Sequence, residues 1–118
     1  MLDSAAMMDE AATLYVVLCN FPDGDSAPLA ARTLVEERLC ACVNLLPGVR
    51  SIYRWEGQIE DAQEVTCLIK TPAPRFPALR ERLQALHPYQ VPEIVALPAA
   101  QVHLPYLEWV RKEAQPLG

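Results

Sequence analysis

The segment ACVNLLPGVRSIYRWEGQIEDAQEVTCLIKT, which runs from Ala41 to Thr71, sets the architecture of the chain. Apolar and polar residues alternate on both sides of Trp55-Glu56-Gly57-Gln58, and Gly57 supplies the positive φ that a tight turn usually needs. This pattern predicts a hairpin of two long strands. Pro47-Gly48 interrupts the first arm, because proline lacks the amide donor of a sheet ladder and glycine in a strand commonly marks a bulge. We therefore expect a long hairpin that is bent at this point.

The remaining elements follow from apolar spacing and from the positions of the prolines. A short apolar run bounded by turn residues predicts a first strand, and apolar residues at helical intervals predict the helices. His87 precedes Pro88, and a residue before proline is pushed out of the α region, so the second helix should end there. The predicted elements are strand 13–20, helix 27–39, hairpin arms 41–55 and 58–70, helix 76–86, strand 92–98 and helix 105–114.

This order predicts an α+β fold, a ferredoxin-like sandwich of the form βαββαβ with an added C-terminal helix. Right-handed crossovers then place the third and fourth strands on either side of the first in an antiparallel sheet. The first and third strands are apolar on both faces, which a half-solvated sheet should not be. A second copy of the same chain would cover the open face most economically, so the pattern indicates a homo-oligomer.

Length and charge exclude several classes of protein. The 118 residues suit a single domain at 13–118, preceded by a flexible N-terminal tail at 1–12. The net charge of −5 argues against binding to the phosphates of nucleic acid, and no apolar run approaches the roughly 20 residues of a membrane span. The N-terminus carries acids where a signal peptide carries basic residues, so we expect a cytoplasmic protein with reduced cysteines.

The predicted topology brings Cys19 and His87 to the same end of the sheet, because the fourth strand runs antiparallel beside the first. A soft thiolate with an imidazole suits copper or zinc, although two ligands are fewer than the four of a closed zinc site. Two other interpretations stay open, a cysteine that packs as a small hydrophobe and a histidine that is satisfied within a loop. Glu93 is either a further ligand or a surface acid.

Several motifs are specific enough to indicate a family. They are Ala41-Cys42-Val43-Asn44 with Pro47-Gly48, the hairpin residues Ser51, Tyr53, Trp55 and Gly57, Glu64 with Ile69-Lys70-Thr71, His87-Pro88-Tyr89, and Pro92-Glu93.

From about Val16 to Trp109, the chain resembles the CutA family of divalent-cation tolerance proteins. The resemblance implies a ferredoxin-like protomer in a homotrimer whose hairpins extend across neighbouring subunits. It also implies a role in tolerance of copper (Cu²⁺) and other divalent cations, with Cys19 and His87 as the copper ligands. Where some members carry a second histidine, this chain has Leu86.

A second candidate site lies on the hairpin. Strand alternation puts Tyr53 and Trp55 on one face, and it puts Glu64 and Lys70 together on one face of the second arm. These side chains, with Glu93 nearby, would line a cleft between subunits. Alternatively, the aromatic residues anchor the oligomer and Lys70 pairs with Glu64.

Two functional hypotheses follow. The first is a non-enzymatic homotrimer that binds or responds to divalent metal ions through Cys19 and His87. The second is a ligand-sensing or scaffold trimer, similar in shape to the PII signalling proteins, whose cleft near Lys70 and Trp55 binds a small anion or a partner protein. The sequence has no nucleophile elbow, P-loop, dinucleotide fingerprint or His-Glu-x-x-His helix, so we predict no enzyme activity. Nucleophilic catalysis by a Cys19 and His87 pair is a weaker third option.

Overall fold

The structure, a computed structural model, describes residues 13–117, and this part of the chain forms a mixed α+β fold with four strands and three α-helices. The predicted order of elements is confirmed, with bounds that differ by a few residues. The predicted tail at 1–12 lies outside the described residues. Within 13–117, no helix is long and apolar enough to cross a membrane. The elements are β1 (Leu14–Pro22), α1 (Ser26–Glu36), β2 (Cys42–Trp55), β3 (Gln58–Pro72), α2 (Phe76–Leu86, after a 3-10 turn at Ala73–Arg75), β4 (Ile94–Pro98) and α3 (Leu104–Glu113).

The four strands form one antiparallel sheet in the order β2-β3-β1-β4. The prediction that the third and fourth strands flank the first is therefore confirmed. Cys19 of β1 lies directly between Cys67 of β3 and Ile94 of β4. Paired residues share a sheet face, so this register fixes which side chains meet on each side.

The hairpin turn consists of Glu56 and Gly57, with φ values of 50° and 82°. Two successive positive φ values define a type I′ turn, whose twist matches that of the flanking strands. The turn predicted from Gly57 is confirmed. Glu56 adopts the left-handed conformation as well, which a non-glycine residue adopts only at a steric cost.

The predicted interruption at Pro47-Gly48 is a β-bulge. Leu46 pairs with Thr66 and Val49 pairs with Glu64, so β2 contains one more residue than β3 between these pairs. Gly48 has a φ of 74°, in the region that favours glycine. One extra residue reverses the alternation of every later side chain in β2.

The main core lies between one face of the sheet and helices α1 and α2. We call this face the helix face. It contains fully buried side chains from β1, β3 and both helices, and Thr71 is held there because its hydroxyl donates a 2.8 Å hydrogen bond to the carbonyl of Leu39. The buried core residues include Val17, Cys19, Phe21, Leu34, Cys67, Ile69, Leu79 and Leu83.

The opposite face, which we call the open face, is only partly covered. Helix α3 covers one end through Val110, which packs in a second buried cluster with Leu14 and Ala41. Beyond this cluster the face remains apolar and exposed at Leu46, Val95 and Leu97. The apolar character predicted for both faces is thus present, and cover by a second copy of the chain stays a prediction.

Candidate functional site

The segment 87–93, which we call the 87–93 loop, joins α2 to β4 and wraps around the end of β1. His87 has extended backbone angles, φ −79° and ψ 136°, and it ends α2 as the following proline predicts. From there the loop passes from the helix face to the open face. It therefore contacts β1 on both sides of the sheet.

His87 is fully engaged on the helix face. Its ring stacks on Phe21 with centroids 4.2 Å apart, and only 8% of the residue is exposed. The amide of Tyr89 donates to Nδ1 at 3.1 Å, so Nε2 carries the proton and donates to the carbonyl of Asn20 at 2.7 Å. Burial lowers the pKa of His87 despite the opposing effects of Asn20 and the Glu64 charge. The neutral ring thus joins the loop to the end of β1.

Cys19 is equally enclosed. Its exposure is 0%, and Cys67 lies directly opposite on the same face. Burial, followed by the proximity of Cys67 and of two glutamates, raises the pKa of Cys19 to about 12. The side chain is therefore a neutral thiol at ordinary pH, whereas metal ligation needs the thiolate.

The structure brings Cys19 and His87 to the same face, since Cys19 packs in the same buried cluster as Phe21 and the His87 ring stacks on Phe21. No hydrogen bond joins them within residues 13–117, and this part of the chain contains no group of three or more His, Cys, Asp or Glu side chains arranged to hold a metal ion. Both nitrogens of His87 already form hydrogen bonds. As arranged, the pair does not fit a metal ion, and copper binding there stays a prediction.

A cavity of about 450 Å³ lies on the other side of the 87–93 loop, between the loop and the hairpin. Tyr53 and Trp55 reach it because the bulge places them on the open face, the face that Glu64 shares. Of the five cleft residues predicted from the sequence, the structure brings four together here. The cavity is lined by Asn20, Tyr53, Trp55, Glu64, Pro88, Tyr89, Gln90, Val91 and Glu93.

Two separate sets of hydrogen bonds hold the polar side chains that line the cavity. The Tyr89 hydroxyl donates to Glu64 Oε2 at 2.7 Å, and the Thr66 hydroxyl donates to Asn20 Oδ1 at 2.7 Å. The amide of Asn20 in turn donates to Glu93 Oε1 at 3.2 Å. Burial and the hydrogen bond to Glu64 raise the pKa of Tyr89, so its hydroxyl remains a donor.

Lys70 is the predicted cleft residue that does not line the cavity. It pairs with Cys42 at the far end of the hairpin, and its Nζ donates to Asn44 Oδ1. Lys70 lies six positions from Glu64 along β3, which corresponds to about 20 Å. The alternative ion pair between Lys70 and Glu64 is therefore wrong, because each side chain has a different partner.

Sequence reasoning did not assign site roles to Asn20 and Tyr89. Asn20 is a polar residue near the end of an apolar strand, and Tyr89 follows Pro88 in a segment that ends at Pro92. Both signals were visible in the sequence. The folded course of the 87–93 loop is needed to show that the two side chains face one cavity.

The open four-stranded antiparallel sheet with three helices defines the class, a mixed α+β protein. A family model described as CutA1 divalent ion tolerance protein matches residues 15–113. The chain belongs to this family, which confirms the resemblance seen in the sequence.

Individual relatives agree with this assignment. The divalent-cation tolerance protein CutA of Thermus thermophilus is 54% identical over 97 residues, covering 82% of this chain and 94% of that protein. Human protein CutA is 48% identical over 91 residues, covering 77% of this chain and 51% of the human protein. The chain thus spans about half the length of the human relative.

Solved structures share the fold. The divalent cation tolerance protein (Cut A1) of Thermus thermophilus superimposes with a TM-score of 0.82 at 52% identity, covering 85% of this chain and 97% of that chain. A protein described as periplasmic divalent cation tolerance protein CutA, from Archaeoglobus fulgidus, gives a TM-score of 0.83 at 31% identity, covering 86% and 99%.

Proposed function

We propose that this protein acts in the tolerance of divalent metal ions, or the response to them, as a cytoplasmic homotrimer without enzymatic activity. Membership of the CutA1 divalent ion tolerance family over residues 15–113 is the observation that carries the proposal. The description of one relative as periplasmic concerns that protein. All four cysteines of this chain are free thiols, which supports a reducing compartment such as the cytoplasm.

The open face supports the homotrimer. Exposed apolar side chains on a sheet face need cover, and a closed ring of copies provides it with one repeated contact. Sedimentation should give three times the mass of the chain. Leu97→Glu on β4 should reduce this mass, whereas Leu29→Glu, at an exposed apolar residue of α1, should not. A monomeric wild type would contradict the proposal.

For the metal we propose copper (Cu²⁺) or a similar divalent cation, with Cys19 and His87 as ligands. A thiolate and an imidazole supply the donors that copper prefers. Because both ring nitrogens of His87 are occupied, binding requires the 87–93 loop to release either the Asn20 carbonyl or the Tyr89 amide. We therefore expect binding that is coupled to a local opening.

Calorimetric titration of the reduced protein with Cu²⁺ and Zn²⁺ tests these ligands, under conditions that limit thiol oxidation. Cys19→Ala should remove saturable binding. Cys67→Ala is the matched control, since Cys67 is equally buried and directly opposite, and it should retain binding. Equal loss in both variants, or equal weak heats in all proteins, would contradict the assignment.

A second candidate function is a ligand-sensing or scaffold trimer, similar to PII proteins, that binds a small molecule or a partner protein in the cleft between subunits. The cavity beside Tyr53, Trp55, Glu64 and Glu93 favours this candidate. Its charged residues are carboxylates, so the cavity does not suit the small anion considered from the sequence. A ligand that binds wild type but not a cavity variant would support this function.

A further inference from the structure

Glu64 is the most unusual side chain in the cavity. It is 5% exposed, and its Oε2 accepts one hydrogen bond, from Tyr89. Within residues 13–117, no hydrogen bond uses Oε1 and no salt bridge includes this carboxylate. A buried carboxylate without a cationic partner is costly, because the protein replaces only part of its hydration.

Glu93 adds a second negative charge at the rim of the cavity. Its carboxylate is exposed and, among the described residues, accepts only the Asn20 amide through Oε1. Within residues 13–117, the cavity lining includes two carboxylates and no lysine, arginine or histidine. The negative charge thus faces a space that no side chain of the lining neutralises.

The other walls are aromatic. Trp55 and Tyr53 are 40% and 41% exposed, although both are large enough to bury considerable area, and Tyr89 forms a third side. Aromatic faces attract organic cations, and tryptophan does so most strongly. Carboxylates and aromatic faces therefore favour the same kind of ligand.

We propose that this cavity binds a small organic ammonium ion, specifically a primary amine with a short apolar body. The ammonium group donates hydrogen bonds to Glu64 and Glu93, and the apolar body lies against Trp55 and Tyr53. A volume of about 450 Å³ falls in the range typical of small-molecule sites. The inference is independent of the tolerance role, because Cys19 and His87 do not line the cavity.

A metal ion suits the cavity less well. Hard divalent cations take about six or more oxygen ligands, whereas the two glutamates supply few and the described residues hold no cluster of three acidic or metal-binding side chains. The aromatic walls provide no ligands. These same walls contribute to the binding of an organic cation.

Trp55 allows the proposal to be tested by fluorescence. The chain has two tryptophans, and Trp109→Phe leaves Trp55 as the single reporter. In this background, n-butylammonium chloride should give a saturable change in emission, measured against sodium chloride at equal ionic strength. n-Butanol, the neutral analogue, should give none. Equal responses to both probes would overturn the proposal.

Removal of one charge makes the test specific. Glu64→Gln preserves shape and should weaken n-butylammonium binding by about tenfold or more, since the ammonium group would lose its charged acceptor. The control Glu81→Gln, at an exposed carboxylate on α2, should bind like the parent. An unchanged affinity in Glu64→Gln would overturn the proposal, and Glu93→Gln replaces it if the first variant fails to fold.

Two further outcomes would show that the cavity holds something other than an organic ammonium ion. If Glu64→Gln changes the sedimenting mass and wild type does not respond to n-butylammonium, a neighbouring copy fills the cavity and the proposal is wrong. If Zn²⁺ or Mg²⁺ displaces n-butylammonium at much lower concentration than the amine itself requires, the cavity is a metal site and the proposal is also wrong. Absence of both effects, together with saturable amine binding, supports the ammonium site.

Discussion

The two sides of the 87–93 loop differ in how completely their polar atoms are satisfied. On the helix face, His87 stacks on Phe21 and both of its nitrogens form hydrogen bonds, while Cys19 is a buried neutral thiol. On the open face, Glu64 is as buried as His87 but retains an oxygen without a hydrogen bond among the described residues.

This contrast shows that the type of a residue does not by itself tell whether its side chain is free to bind a ligand. Cysteine and histidine are strong metal ligands, yet here both nitrogens of His87 form hydrogen bonds and Cys19 is a buried neutral thiol. The carboxylates attract less notice in a sequence, but they face a cavity that admits a ligand. The atoms available to a ligand are therefore those without a hydrogen-bond partner, whatever the type of residue that carries them.

The largest expected effect comes from removing a buried side chain on the helix face. Phe21→Ala removes a ring that is 1% exposed and lies against His87, so the free energy of unfolding should fall by about 3–5 kcal/mol. Denaturant unfolding at a fixed protein concentration measures this. Phe21→Leu, which retains most of the volume, should lose much less, and similar losses in both variants would show that the site is not tightly packed.

The next effect concerns the open side. Tyr89→Phe removes the hydroxyl that, among residues 13–117, donates to Glu64, so the variant should lose about 1–3 kcal/mol of stability. n-Butylammonium should restore part of this loss by supplying a new donor, which a thermal melt with and without the amine would detect. No restoration would argue that the cavity does not bind the amine.

The bulge places Tyr53 and Trp55 on the open face, and its glycine is the third target. At Gly48, with φ at 74°, an added Cβ meets no atom within 4 Å, so Gly48→Ala introduces backbone strain alone. We expect a loss of about 1–2 kcal/mol in denaturant unfolding. Trp55 should keep its response to the amine, because the extra residue is retained. A lost response would show that the conformation of Gly48 itself shapes the cavity.

The pH dependence of stability tests the packing of His87 on the helix face without a substitution in the core. Burial lowers the pKa of His87 below its ordinary value of 6.5, so the unfolded chain takes up a proton first as the pH falls. The free energy of unfolding of the metal-free protein should therefore decrease as the pH falls below about 7, until the folded-state pKa is passed.

His87→Gln should reduce this decrease, and His103→Gln, at an exposed histidine, should leave it as in wild type. Unfolding at several pH values in the presence of a chelator provides the measurement. An identical slope in wild type and His87→Gln would mean that other groups cause the dependence.

The smallest effect is expected on the solvated part of the hairpin. Arg50 donates two hydrogen bonds to Asp61, at 2.9 and 2.6 Å, but both side chains are well exposed. Asp61→Asn should leave the unfolding midpoint and the amine response nearly unchanged, because solvent screens such pairs. A large effect would show that this face of the hairpin is covered in the assembly.

Much of the fold was predictable from local signals. Gly57 indicated the turn, Pro47-Gly48 indicated the bulge, and right-handed crossovers predicted the strand order. Alternation also grouped Tyr53 with Trp55. These signals depend on the backbone preferences of single residues and on strand periodicity, both of which a sequence displays directly.

The state of the candidate site was less predictable. The partners of His87 are the backbone carbonyl of Asn20 and the backbone amide of Tyr89, and backbone atoms carry no residue-specific signal. Alternation placed Lys70 on the face of Glu64, and the strand rise over six positions already separates the two by about 20 Å, so this exclusion was available from the sequence. The lack of a cation beside Glu64 among the described residues, in contrast, depends on how the loop folds over the strand.

The bulge lets side chains at both ends of β2 lie on the same face of the sheet although an odd number of positions separates them. Cys42 and Trp55 are an odd number of positions apart, yet both lie on the open face, which a regular strand would not allow. Loss of one codon between Leu46 and Val49 would leave a single residue opposite Val65, so the bulge would become a regular ladder, Val49 would still pair with Glu64, and the tip would keep its face. Loss of both would leave no residue opposite Val65, so the tip would turn over or its register would slip against β3. The hairpin thus tolerates the loss of one residue in this segment but not of two.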